Sequence, residues 1–164
     1  MTSPAQVQEL ATRVLAEARS RGLKIATAES CTGGMVSAAL TDIAGSSDVF
    51  DRGFVTYSNE AKQAMLGVPA ATIAAHGAVS SETATAMATG AILNSAADIA
   101  IAITGVAGPG GGSSAKPVGL VHFAVARRGV GAKPRHHLFG DQGRAAIREQ
   151  ATRVALEMLL EAVI

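Results

Sequence analysis

The stretch ATAESCTGGMVS, residues 26–37, decides the fold. It joins a strand-like run to a polar, glycine-rich turn, and the turn opens an amphipathic, helix-like segment. Ser30 stands at the bend, and Gly33 and Gly34 let backbone N–H groups approach a ligand closely. Because open α/β sheets bind ligands at the carboxyl ends of their strands, the turn is a candidate site with Ser30 as a nucleophile. The alternative is that Ser30 or Thr32 caps the helix and the glycines serve packing.

Outward from this turn, helical and strand-like patterns alternate along the chain. Helices are expected over 4–21, 35–40, 60–66, 82–94 and 143–164, and strands over 24–28, 50–57, 98–104, 119–127 and 135–139. Asn59 is expected to cap the third helix, and Gly53 to mark a bulge or a close backbone approach. The apolar run DIAIAIT, 98–104, predicts a central strand that is buried on both faces. The order predicts a single domain over 1–164, an α/β fold built as a three-layer α/β/α sandwich with a mixed sheet of about five strands.

Composition excludes several classes of function. The chain has 164 residues, enough for one domain with a proper core. Its net charge of +1, with 16% charged and 3% aromatic residues, provides neither the basic surface nor the stacking platforms of a nucleic-acid-binding protein. We therefore expect no nucleic acid among its partners.

The cysteine count and the apolar pattern of the sequence indicate the cellular compartment of the protein. A single cysteine cannot form an internal disulfide, which fits a reducing cytosol. The sequence has no apolar run of about 18 residues, and its N-terminus lacks the features of a secretory signal. We expect a cytoplasmic protein without membrane contact, whose apolar surface is hidden by self-association.

A glycine-rich loop and two arginines indicate an anion site. The run GVAGPGGG, 105–112, holds five glycines between strands of one sheet, which favours a ligand cradle over a linker. The G-x-G-x-x-G dinucleotide fingerprint does not follow the first strand, and the sequence has no G-x-x-x-x-G-K-S/T P-loop motif. Arg144 and Arg148 near the start of the last helix oppose its dipole unless an anion is paired with them. They are candidates for phosphate binding, and the alternative is two solvated surface arginines.

The sequence does not favour a metal site built from the histidines or a nucleophilic role for the cysteine. The four histidines lack the spacings of zinc sites, and His136 and His137, adjacent on a strand, are expected to point to opposite faces. We expect neither a metal nor another cofactor. Cys31 is a possible nucleophile, but a lone cysteine in an α/β protein is more often a small buried hydrophobic residue.

Ser30 needs a base, and Tyr57 and Lys62 lie at the end of the next strand, at the same edge of the sheet if that strand is parallel to the first. Lys62 can act as the base if burial lowers its pKa from about 10.4 toward neutrality. Alternatively, a charged Lys62 lowers the pKa of Tyr57, which then takes the proton. The sequence does not separate these alternatives, and Lys62 can also be an ordinary exposed helix lysine.

Five segments carry a family resemblance. These are AESCTGG (28–34), DIAGSSDVFDRGFVTYSNEAK (42–62), HGAVS (76–80), ITGVAGPGGG (103–112) and KPVG (116–119). Together they resemble the CinA C-terminal domain family, and the chain resembles the stand-alone form of that domain. The resemblance implies an α/β/α domain that hydrolyses the carboxamide of nicotinamide mononucleotide (NMN) to nicotinate mononucleotide and ammonia, in pyridine-nucleotide salvage. Larger members carry an N-terminal pyrophosphatase domain, which we expect to be absent here.

The resemblance also implies roles for single residues. Ser30 would be the nucleophile, with Tyr57 and Lys62 assisting proton transfer. The family resemblance further implies a nucleotide pocket lined by Cys31, Thr32, Gly33, Gly34, Thr104, Gly105, Ala107 and Gly108, with Arg144 or Arg148 at the phosphate. The family commonly has an acidic residue or Asn between a glycine and the arginine matched by Arg144, whereas Asp141, Gln142 and Gly143 intervene here. The choice of phosphate ligand therefore stays open.

Two other functions compete with this one. A nucleotide-binding regulatory module, linked to competence or DNA damage, would keep the pocket without turnover. An amidase for a different carboxamide would keep the chemistry and change the substrate. The set of Ser30, Tyr57 and Lys62 favours an enzyme, because a binding module needs no nucleophile beside a base. The family also suggests a homodimer or higher homo-oligomer.

Overall fold

The computed structural model describes residues 2–164, and this part of the chain forms six α-helices, a short 3-10 turn and five strands. Their order is α1 (Pro4–Ser20), β1 (Ile25–Glu29), α2 (Met35–Thr41), a 3-10 turn (Ser46–Asp48), β2 (Phe50–Val55), α3 (Asn59–Leu66), α4 (Ala70–His76), α5 (Ser81–Leu93), β3 (Ile99–Gly105), β4 (Leu120–Arg127), β5 (Gly131–Leu138) and α6 (Arg144–Val163). None of the helices in this described part combines the length and the apolar character that crossing a membrane requires.

The five strands form one mixed sheet in the order β2-β1-β3-β4-β5. β1 is parallel to both β2 and β3, whereas β4 is antiparallel to β3 and forms an antiparallel hairpin with β5. β1 therefore lies between two parallel neighbours. The loops that follow β1, β2 and β3 consequently meet at one edge of the sheet.

Two apolar layers cover the sheet, which confirms the three-layer α/β/α prediction. The isoleucines of β3, such as Ile101, belong to a core with α1, α2 and α6. The alternating alanines, such as Ala102, belong to a second core with α3 and α5. The second layer is tightly packed, since a Cβ added at Gly90 of α5 would lie 1.9 Å from the backbone oxygen of Leu66. Small residues therefore let α5 and α3 approach each other closely.

The structure corrects three local predictions. α4 was not predicted, because AATIAAH is too short to show a helical period. Ser58, and not Asn59, caps α3, since the Ser58 hydroxyl accepts a hydrogen bond from the N–H of Ala61. β5 begins at Gly131 and includes Pro134, because an edge strand tolerates a residue that lacks an N–H donor.

Gly53 of β2 marks a close approach rather than a bulge. A Cβ there would lie 2.5 Å from Ser37 Oγ and 2.7 Å from Thr27 Oγ1. The irregularity in the pairing of β1 with β2 falls earlier, between the partners Phe50 and Arg52. The absence of a side chain at Gly53 thus makes room for α2 against the sheet.

Candidate active site

Ser30 immediately follows β1, at the edge where the three parallel strands end. Its N–H donates to the carbonyl of Ile103 on β3 at 2.9 Å, while the carbonyl of Glu29 accepts from Thr56, just after β2, at 2.9 Å. The backbone on both sides of the β1–Ser30 junction is thereby fixed by the neighbouring strands. The sequence prediction of a polar turn at this edge is confirmed.

Lys62 is the residue that contacts the Ser30 side chain. Its Nζ donates to Ser30 Oγ at 3.0 Å and to the carbonyl of Thr56 at 2.8 Å. The side chain is buried, with 1% of the residue exposed, so the alternative of an ordinary surface lysine is wrong. No carboxylate oxygen of residues 2–164 lies within 4.0 Å of Nζ. Burial without an acidic partner lowers the pKa of Lys62.

Tyr57 does not join this pair. The residue is 61% exposed, and its Oη accepts a hydrogen bond from Arg144 Nη2 at 2.7 Å. It forms no hydrogen bond to Ser30 or Lys62. The structure thus brings together two members of the expected catalytic set and places Tyr57 at the rim, beside α6.

The two candidate phosphate ligands have different environments. Arg144, the first residue of α6, also donates from Nη1 to the carbonyl of Gly108 at 2.8 Å, so it joins Tyr57 to the glycine loop. Arg148 lies one turn further along and is only partly exposed. Its Nε and Nη2 donate to the carbonyls of Cys31 and Thr32 at 3.0 and 3.3 Å. Arg148 therefore holds the turn after Ser30, whereas Arg144 stands exposed at the rim.

The turn from Ser30 to Gly34 depends on its glycines. Gly33 and Gly34 have φ values of +56° and +106°, which side-chain-bearing residues rarely adopt. Three backbone N–H groups of the turn, those of Cys31, Thr32 and Gly34, have no hydrogen-bond acceptor in residues 2–164. Free N–H groups next to a nucleophile are what an oxyanion hole requires.

Neither Ser30 nor Thr32 caps α2, so the capping alternative is wrong. The N-cap position is Gly34, which has no side chain to offer. The carboxylate of Glu29 takes this role, accepting hydrogen bonds from the N–H groups of Val36 and Ser37 at 2.9 and 3.0 Å. Glu29 and Thr56 were not among the site residues predicted from the sequence. The signal for Glu29 was an acidic residue at the end of an apolar strand that is buried on both faces.

Cys31 confirms the expectation of a small buried residue. It is 5% exposed and belongs to the core beneath α1, α2 and α6. Burial raises the pKa of its thiol to about 12, so the thiol stays protonated near neutral pH. Cys31 therefore contributes its backbone to the turn, and its side chain is a poor nucleophile.

The end of β3 and the loop that follows it form the other wall of the site. The hydroxyl of Thr104, 1% exposed, donates to the carbonyl of Ala78 at 2.8 Å, which ties the strand to the HGAVS turn. A Cβ at Gly105 would lie 2.7 Å from Val121 Cγ2, and Ala107 is buried in the core under the loop. Of the residues from Thr104 to Gly108, Gly108 alone contacts another proposed site residue through a hydrogen bond.

Comparisons with known proteins agree with this geometry. The CinA C-terminal domain model matches residues 7–163. The chain is 52% identical over 155 residues to nicotinamide-nucleotide amidohydrolase PncC of Escherichia coli, covering 94% of this chain and 93% of the relative. It is 50% identical over 141 residues to a CinA-like protein of Geobacter sulfurreducens, covering 86% of this chain but 34% of that longer relative. The crystal structure of the competence/damage inducible protein CihA from Agrobacterium tumefaciens superposes with a TM-score of 0.95 at 52% identity, covering 98% of each chain. The chain belongs to the CinA C-terminal domain family.

Proposed function

We propose that this protein hydrolyses the carboxamide of NMN to nicotinate mononucleotide and ammonia, with Ser30 as the nucleophile, in pyridine-nucleotide salvage. The observation that carries the proposal is the buried contact of 3.0 Å between Lys62 Nζ and Ser30 Oγ. The substrate follows from the name of the Escherichia coli relative, which matches this chain over nearly its whole length.

In the first step, neutral Lys62 takes the proton of the Ser30 hydroxyl while Oγ attacks the carboxamide carbon. The carbonyl oxygen becomes negatively charged, and the free N–H groups of Cys31, Thr32 and Gly34 are the available donors for it. When the C–N bond breaks, Lys62 returns the proton to the leaving nitrogen. Ammonia leaves, and an ester between Ser30 and the nicotinoyl group remains.

Water completes the cycle. Lys62 takes a proton from the water as its oxygen attacks the ester carbon, and it gives that proton to Ser30 Oγ when the ester bond breaks. The products are the free carboxylic acid, which ionises, and the regenerated Ser30–Lys62 pair. One base thus serves both half-reactions, which requires a pKa lowered from its ordinary value, as burial provides for Lys62.

The nucleotide end is assigned to Arg144. Its guanidinium is exposed at the N-terminus of α6, next to the glycine loop. Both arginines donate two hydrogen bonds to protein oxygens, but Arg148 is only partly exposed and holds the turn after Ser30, whereas Arg144 is exposed at the rim. Arg144 is therefore the arginine that a phosphate can reach. Tyr57, held by Arg144, then lines the entrance to the site, and its contribution to proton transfer is not required by this mechanism.

The deciding experiment is ammonia release from a substrate panel of NMN, nicotinamide riboside, nicotinamide and glutamine. We expect rapid release from NMN and much slower release from the other three, because only NMN offers both the carboxamide and the phosphate. Faster release from another member would show an amidase for a different carboxamide. Binding of NMN without ammonia release from any member would show a binding module.

Replacing Arg144 with alanine should raise KM for NMN far more than it lowers kcat. A phosphate remote from the scissile bond contributes binding that is nearly equal in the ground state and the transition state. Losing a charge-assisted hydrogen bond corresponds to about 1.5–3 kcal/mol, or roughly 10- to 150-fold in KM. Steady-state kinetics on NMN measure both constants, and Arg13→Ala, at an exposed arginine of α1, is the matched control. A fall in kcat at constant KM would assign Arg144 another role.

A further inference from the structure

Glu29 is a buried carboxylate that the mechanism above does not use. It ends β1, directly before Ser30, and 0% of the residue is exposed. Its oxygens accept four hydrogen bonds. Oε1 accepts from the hydroxyl of Thr32 at 2.7 Å and from the N–H of Val36 at 2.9 Å, while Oε2 accepts from the N–H and the hydroxyl of Ser37 at 3.0 and 2.9 Å.

These bonds span the nucleophile turn. The donors lie two to seven residues beyond Ser30, so one carboxylate joins the last residue of β1 both to the middle of the turn and to the first turn of α2. Because Gly34 cannot cap α2 through a side chain, no other side chain of residues 2–164 bonds the N–H groups of Val36 and Ser37. The N-terminus of α2 is a favourable place for the negative charge.

The position of the turn determines the position of the reacting groups. Ser30 Oγ must stay near Lys62 Nζ while the N–H groups of Cys31, Thr32 and Gly34 stay fixed for the oxyanion. The glycines allow the positive φ values of the turn. Because they have no side chains, they add no side-chain contacts that would hold the turn in place. A displacement of about 1 Å in such a group can cost on the order of 10²-fold in rate.

We propose that Glu29 is a positioning residue for the amidase reaction, whose carboxylate fixes the Ser30–Gly34 turn in its reactive geometry through Thr32 and the N-terminus of α2. The expected effect on kcat rests on the proposed function. The expected effect on the hydrogen exchange of the turn does not depend on it. Glu29 is fully buried, and its carboxylate bonds Thr32, Val36 and Ser37 rather than the Ser30 hydroxyl. It acts through the backbone that carries Ser30 and the free N–H groups.

The test uses Glu29→Gln, which keeps the length of the side chain and exchanges one accepting oxygen for a donating NH2 group that faces the donors of Val36, Ser37 or Thr32. We expect kcat on NMN to fall about 10- to 100-fold with KM nearly unchanged, because the change disturbs the geometry of the reacting groups rather than the phosphate contact. We also expect faster hydrogen exchange at the amides of Val36 and Ser37. Leu40→Ala, a buried change later in α2, should lower the melting temperature without this loss of kcat.

A second variant links Glu29 to the turn. Thr32→Val removes one hydroxyl donor, and Thr41→Val, at an exposed threonine of α2 that does not contact the carboxylate, is its matched control. We expect a loss of kcat for Thr32→Val alone, and no further loss when Thr32→Val is added to Glu29→Gln, since both disturb one network. Fully additive losses, or a Glu29→Gln enzyme with normal kcat, would overturn the proposal.

The two proposals fail in different ways. Wild-type protein that releases no ammonia from the panel contradicts the amidase function. Hydrogen exchange then still decides the role of Glu29, because unchanged protection of Val36 and Ser37 in Glu29→Gln contradicts it whatever the reaction is. Faster exchange confined to the turn and the start of α2 supports it.

Discussion

Ser30→Ala is expected to lower kcat for NMN by a factor of about a thousand or more, as is typical when an essential nucleophile is removed. The reason is that Ser30 Oγ is the hydroxyl oxygen that contacts the buried Lys62 Nζ. The backbone N–H groups of the turn are donors only, and Tyr57 Oη is occupied by Arg144 at the rim. The dissociation constant for NMN, measured by calorimetry, should stay close to that of the wild type, because Ser30 Oγ stabilises mainly the transition state.

The control for Ser30→Ala is Cys31→Ala at the adjacent position. The Cys31 side chain lies in the core, and its thiol stays protonated, so this variant should keep most of its turnover. Melting curves complete the pair of measurements. A Ser30→Ala protein with near-normal turnover and a melting temperature lower by several degrees would show a structural role, whereas an unchanged melt with lost turnover shows a nucleophile.

Strong local patterns explain why most of the fold could be predicted. The alternation of isoleucine and alanine in β3 indicated a strand buried on both faces, and the two faces indeed meet different helix layers. The helices expected over 60–66 and 82–94 agree with α3 and α5 to within one residue at each end. α4 and the first half of β5 were missed, because a seven-residue helix and an edge strand with a proline carry little periodic signal.

The location of the site could be predicted from the sequence, whereas the burial and the contacts of its side chains could not. The parallel order of β1, β2 and β3 places the three loops at one edge, as the spacing of strands and turns indicated. The sequence could not show that Lys62 is buried while Tyr57 is exposed, because both residues surround the start of the same short helix. It could not show the contacts of Glu29 and Arg148 either, since these depend on how α2 and α6 are placed against β1.

Lys62→Met and Lys62→Arg are both expected to lower kcat/KM for NMN by about 10²- to 10⁴-fold, the range for loss of a general base. Methionine fills a similar volume without a basic nitrogen. Arginine keeps the positive charge but does not give up its proton near neutral pH. The Lys62→Arg variant therefore distinguishes a role of Lys62 as a base from a role that needs only its positive charge. Retained activity in Lys62→Arg would contradict the role of Lys62 as a base and would leave only its charge as necessary.

The pH dependence gives the decisive comparison for Lys62. Its pKa in the folded protein lies below the ordinary value of 10.5, because burial disfavours the charged amine. Between these two pKa values the unfolded chain binds more protons at Lys62 than the folded one does. The free energy of unfolding of the wild type should therefore rise with pH by up to about 1.4 kcal/mol per pH unit, relative to that of Lys62→Met. Over the same range kcat/KM of the wild type should rise with pH through the folded pKa, as the neutral amine becomes populated. Denaturant unfolding and kcat/KM, each measured against pH, should therefore give one common midpoint for the folded protein. Parallel stability curves for the two proteins, or a rate that rises at a different midpoint, would show that another group takes the proton from Ser30.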